Sequence, residues 1–117
     1  MMSDKEKVEK FLRLLKQKAK VWGILYLDDR SKNAQTLADL ELKASERDRI
    51  IENLIIQDYS DGPLNEKHYD GMEMWVFGKE VKGKEIYIKI TLGDFSDRPV
   101  CISFHISEYS LTYPFKK

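Results

Sequence analysis

The chain is short of several things, and each shortage removes a class of protein. It has one cysteine, Cys101, so no internal disulfide can form and no cysteine-based metal spacing exists, which suits a reducing compartment. No apolar run approaches the roughly 18 residues of a membrane-spanning helix. The Met-Met-Ser-Asp-Lys-Glu start carries no apolar stretch of the kind that directs secretion, and the expected location is the cytoplasm. Net charge is also missing: 20 basic side chains balance 20 acidic ones, so indiscriminate binding to nucleic acid, which needs a basic face, is not expected. No repeat, low-complexity tract, phosphate loop or cofactor motif occurs, and no metal or cofactor is expected.

What is present is ordinary globular material. Hydrophobic residues make up 42% of the 117 and charged residues 34%, enough to offset the ordering entropy by burial. Residues 1–117 are read as a single domain. The charge is unevenly spread: residues 1–22 hold seven basic and three acidic side chains, and residues 23–62 hold five and nine. A local basic surface is compatible with that distribution.

Periodicity divides the chain in two and gives the α+β class. Val8, Phe11, Leu12, Leu15, Ala19 and Trp22 recur at three-and-four spacing and predict a helix over about 4–20, with Ser3 and Glu6 spaced as a capping box. Gly23 ends it. A short β-rich run, Ile24 to Asp28, precedes a second helix over about 33–40. A third is signalled by Ser45 and Asp48, with Ile50, Ile51, Leu54 and Ile55 as its apolar stripe. Residues 57–72 read as a long irregular stretch with turns at Asp61-Gly62-Pro63 and Asp70-Gly71. Then the period changes to two: 74–79, 85–92 and 100–106 are predicted strands of an antiparallel sheet with the helices packed on one face. Leu111, Tyr113 and Phe115 alternate as an added edge strand would.

Successive strand residues point to opposite faces. Ile86, Ile88, Ile90 and Leu92 therefore share a core face with Val100, Ile102, Phe104 and Ile106. The other face receives Tyr87, Lys89 and Thr91 beside Cys101, Ser103 and His105. A phenol, an ammonium and an imidazole on one open sheet face suit phosphodiester cleavage in RNA: imidazole exchanges protons near neutrality, and oriented donors hold the charge of the transition state. The ordinary role of Lys, Tyr, Thr and Ser on such a face is solvation. Trp75 and Phe77 have the chemistry to stack on bases, although packing is the commoner fate of such rings. Lys79, Lys82 and Lys84 have the charge to meet phosphates, or simply to protect a sheet edge.

A resemblance sharpens this reading. Thr36 through Leu40-Glu41-Leu42, Ile50-Ile51-Glu52-Asn53-Leu54, Asp58-Tyr59, Trp75-Val76-Phe77, Gly83, Ile86-Tyr87-Ile88-Lys89-Ile90 and Ile102-Ser103-Phe104-His105, in that order, resemble the MqsR family of type II toxins. The resemblance covers about 33–106. It implies a RelE-like ribonuclease fold, metal-independent mRNA cleavage by a bacterial endoribonuclease (an mRNA interferase), and a cognate antitoxin as protein partner. Tyr87 falls on the family's catalytic tyrosine, and His105 falls where better-known members place a lysine. The family's lysine after the Asp-aromatic pair and its glutamine beside the tryptophan have no match: Asp61 and Glu73 or Met74 stand there.

The expected site is thus Tyr87, His105 and Lys89 as catalytic residues, with Lys79, Lys67, His68 and Trp75 meeting RNA. The competing reading is a non-catalytic RelE-like module or regulator that binds a protein.

Overall fold

A computed structural model describes residues 3–27, 31–65, 72–93 and 98–116. The elements are helix α1 (Asp4–Trp22), strand β1 (Leu25–Tyr26), helices α2 (Ser31–Asp39) and α3 (Ala44–Glu52), a 3-10 turn (Ile56–Asp58), and strands β2 (Tyr59–Asn65), β3 (Glu73–Val81), β4 (Lys84–Thr91) and β5 (Val100–Ile106). The class is α+β, with the three helices ahead of most of the sheet. The five strands lie in the order β1-β5-β4-β3-β2. The β5-β4-β3-β2 part is antiparallel, whereas β1 pairs with β5 in parallel through Leu25–Val100 and Tyr26–Cys101. The sheet is therefore mixed, which corrects the purely antiparallel expectation.

The first helix forms as its sequence dictates. Ser3 Oγ accepts the Glu6 N–H at 3.2 Å and Glu6 Oε1 accepts the Ser3 N–H at 3.3 Å, satisfying two of the otherwise orphaned donors at the start of α1. Val8, Phe11, Leu12, Leu15 and Ala19 are buried along one stripe. Phe11 stacks on Trp75 and Phe77, with ring centroids 5.1 and 5.7 Å apart, seating α1 on the β3 face of the sheet. Trp22 does not join the stripe: it is 54% exposed. The third helix starts one residue before Ser45, and its cap is the Glu46 carboxylate on the Lys43 N–H at 3.0 Å rather than a Ser45–Asp48 pair.

The stretch expected to be irregular contains β2. Tyr59 pairs with Phe77, Asp61 with Val76 and Leu64 with Met74, with register shifts on either side of Asp61. The cis Gly62–Pro63 peptide and Gly62 at φ +121° sit inside this strand. Glycine and proline punctuation marks a turn in most sequences, but an edge strand with bulges accommodates both residues. The Asp70-Gly71 turn lies outside the described residues.

At the opposite side of the sheet, β1 stops after two residues, and α2 finishes the edge of β5. Asn33 donates from Nδ2 to the carbonyls of Leu27 and Ile102, both at 3.0 Å, and its Oδ1 accepts the Phe104 N–H at 3.0 Å. Thr36 Oγ1 accepts the Ile106 N–H at 3.1 Å. Both side chains are buried. The β4–β5 register slips between Lys89–Ser103 and Ile90–Cys101, so Ile102 is the extra residue of a bulge. Alternation fails there: Cys101 pairs with Ile90, belongs to the apolar core and is not on the polar face.

Loss of the Asn33 side chain would remove the acceptor of the buried Phe104 N–H, at about 1–3 kcal/mol for an unsatisfied group, together with its two donations to the Leu27 and Ile102 carbonyls. Asn33→Ala is expected to lower the unfolding free energy by about 2–4 kcal/mol in urea titration, with unchanged m-value. A cost below about 0.5 kcal/mol would show that the clasp is not holding the edge.

Candidate functional site

Strands β4 and β5 place Tyr87 directly opposite His105. The two rings stack, with centroids 5.3 Å apart and planes inclined by 15°. Both residues are half-buried. Lys89 follows Tyr87 on the same face, opposite Ser103. Its place in the register makes it a diagonal neighbour of His105 at about 7–8 Å between backbones, and the β5 bulge begins just beyond it.

The histidine tautomer follows from one contact. His105 Nδ1 lies 3.0 Å from the Ile106 carbonyl oxygen. A carbonyl only accepts, so Nδ1 carries the hydrogen and Nε2 presents the lone pair. An imidazole held this way can take a proton at Nε2. Beside it, Glu108 is paired with Lys32. The Lys32 hydrogen bond and then the Lys32 charge hold the Glu108 carboxyl below the ordinary carboxylate range, with a smaller contribution from His105.

Two pockets flank the ring pair and, among the described residues, share no lining residue. One, of about 350 Å³, lies where α2 meets the end of β5 and is lined by Lys32, Gln35, Asp39, His105 and Glu108 among others. The second, of about 320 Å³, is floored by Val76 and Tyr87, walled on one side by Ser60 and Asp61 of β2 and on the other by residues 109–112. In the order of the sheet they fall on either side of the β4–β5 pair.

The second wall is built by the segment after β5. It forms no strand, contrary to the alternation of Leu111, Tyr113 and Phe115. Instead it crosses the sheet face opposite α1. Glu85 Oε1 accepts the Leu111 N–H at 3.0 Å and Glu85 Oε2 accepts the Tyr113 hydroxyl at 2.6 Å. Burial, then that hydrogen bond, push the Tyr113 phenol above its ordinary value, so it remains a donor. Gly78 makes the crossing feasible, since a Cβ there would strike the Tyr113 ring and Leu111. Tyr109 then meets Tyr87 edge-on at 6.4 Å, and Phe115 packs on Tyr59 at 5.4 Å.

The remaining expected site residues are elsewhere. Trp75 pairs with Ile90 on the helix-covered face and is 7% exposed beneath Phe11; a ring already stacked in the core is closed to RNA bases, which corrects its expected role. Lys79 pairs with Ile86 on that same covered face and its Nζ reaches Asp58 at 3.3 Å, so it does not meet Tyr87 or His105. Lys67 and His68 lie outside the described residues. Tyr109, Glu85 and the segment around them are additions that pattern reading missed; the available signal was Gly78, a glycine inside a strand, which marks close approach by another part of the chain.

Among the described residues, no three His, Cys, Asp or Glu side chains are grouped as metal ligands would be, and no helix is long and apolar enough to cross a membrane. Comparison of the chain with family models, with curated proteins and with solved structures finds no match in any of the three.

The neutral His105 ring is expected to give nitrogen NMR shifts of a protonated Nδ1 and an unprotonated Nε2. Shifts typical of the Nε2–H form would show that Nε2 has no lone pair to act as a base.

Proposed function

We propose that this protein is a toxin-type endoribonuclease with a RelE-like fold, related to the MqsR family and restrained by a protein antitoxin. The observation that carries the reading is the stacked Tyr87–His105 pair on the sheet face opposite α1, with Nδ1 of the histidine held by the Ile106 carbonyl and Lys89 two residues from Tyr87 on the same strand. The ordered motifs that resemble the MqsR family support the same assignment.

The proposed chemistry follows from the groups. Cleavage within RNA begins when the 2′-hydroxyl oxygen attacks the adjacent phosphorus. His105 Nε2 takes the hydroxyl proton as the new O–P bond forms. Negative charge grows on the non-bridging oxygens, and the Lys89 ammonium and the Tyr87 hydroxyl donate to them. As the P–O5′ bond breaks, the leaving oxygen takes a proton from the imidazolium or the phenol, leaving a 2′,3′-cyclic phosphate and a 5′-hydroxyl. Stacking orients the two rings and contributes about 0.5–1.5 kcal/mol to their fixed geometry.

A second reading, a protein-binding module without cleavage, draws support from the carboxylates Asp61, Asp39 and Glu108 around the two pockets and from the apolar patch of Val21, Trp22 and Leu25 at the end of α1 and in β1.

Brief induction in bacteria is expected to arrest growth and shorten cellular transcripts. His105→Ala should reduce cleavage by the purified protein by about 10²- to 10⁴-fold, the usual worth of a positioned acid or base. Tyr87→Phe should retain the stack and lose activity through the missing hydroxyl. Intact RNA and normal growth with folded wild-type protein would instead select the binding module.

A further inference from the structure

The pocket on the Tyr87 side has no role in the cleavage chemistry above, and its own chemistry is specific. Among the described residues its lining contains no lysine or arginine and one carboxylate, Asp61. That carboxylate disfavours a phosphate at its own position. An aromatic, uncharged group that offers hydrogen-bond donors would be accepted. Tyr87 and Tyr109 supply two rings 63° apart, and Tyr109 is 65% exposed, free to present a face to a planar ligand. Ser110 and Thr112 add hydroxyls. The volume, about 320 Å³, lies at the small end of ligand sites and suits one planar heterocycle rather than a folded peptide.

The position of Asp61 is fixed by the strand. It pairs with Val76 on the open face, and its Oδ1 accepts the Gly62 N–H at 2.8 Å. That bond anchors one oxygen and directs recognition through the other. An ionised carboxylate is acceptor-only. It therefore favours an exocyclic amino group and disfavours a carbonyl at the same place.

We propose that this pocket is a nucleobase subsite next to the scissile phosphodiester, and that Asp61 selects amino-bearing bases over uracil. The proposal rests on the RNA-cleaving reading for its setting, but the pocket's ligand chemistry is testable without cleavage. Single-stranded bases are commonly read this way, by stacking on an aromatic ring and hydrogen bonding at the Watson–Crick edge. Cytosine and uracil form the sharpest comparison, because they differ at one ring position by an amino group against a carbonyl.

The probes are the 2′-O-methyl dinucleotides CpC and UpU, which cannot be cut by 2′-hydroxyl attack. Binding is followed by NMR titration, reading the shifts of Tyr87 and Tyr109. Wild-type protein is expected to bind CpC about 10-fold more tightly than UpU, the low end for one hydrogen bond to a charged group. Asp61→Asn, at an exposed position, should bring the ratio to about 2-fold or less, since an amide both donates and accepts. Equal affinities for wild type, a ratio unchanged in Asp61→Asn, or no binding of either probe would each overturn the subsite. Cleavage of long RNA without dinucleotide discrimination would remove the subsite alone. Discrimination without cleavage of any RNA would remove the nuclease reading and leave a nucleobase-binding pocket.

Discussion

The carboxamide of Asn33 does the work of a missing β-strand. Where β1 ends, β5 would otherwise run on as an edge with its N–H and carbonyl groups unpaired. Asn33 supplies a donor to Ile102 and an acceptor to Phe104, the two groups that a neighbouring strand would satisfy. Thr36 continues one step further at Ile106. Paired groups of this kind rigidify a structure because the alternative, a buried polar atom without a partner, is costly. His105 sits between Phe104 and Ile106, both held by α2, and Nδ1 of its ring contacts the Ile106 carbonyl. The helix thus fixes the backbone that aims the imidazole at Tyr87.

The same clasp explains how β5 tolerates a bulge. With Ile102 as an extra residue, the strand loses regular pairing to β4 at that point, yet the Ile102 carbonyl is held by Asn33 from the other side. Cys101 turns into the core while Ser103 and His105 keep the polar face. Bulges commonly re-aim side chains near functional sites. Here the β5 bulge lies next to Lys89, the ammonium assigned to the proposed site.

Much of this was legible from the sequence, for identifiable reasons. The capping box of Ser3 and Glu6 and the stripe from Val8 to Ala19 are local signals, and local signals placed α1 correctly. The alternation of Ile86, Ile88 and Ile90 gave the two faces of β4, and with them the shared side of Tyr87 and His105. What escaped depends on partners far along the chain. Strand β2 hid behind Gly62 and Pro63 because its pairing to β3 outweighs its poor propensity. Parity carried Cys101 to the wrong face because a one-residue bulge reverses alternation without a compositional mark. Trp75 was assigned to RNA on residue type alone, whereas Phe11, more than sixty residues earlier, claims its ring. The crossing of residues 109–116 over the sheet was written only in Gly78.

The proposed site has carboxylates in both flanking pockets and Lys89 on the strand beside the ring pair. Such a site would cut RNA by internal attack, using a base and oriented donors. End-group analysis of RNA treated with the purified protein tests this most directly. Products ending in 2′,3′-cyclic phosphate, with a 5′-hydroxyl on the downstream fragment, are the expected result, and they should fall away with His105→Ala. Fragments carrying a 3′-hydroxyl and a 5′-phosphate would contradict the account, because water and not the 2′-hydroxyl would then be the nucleophile.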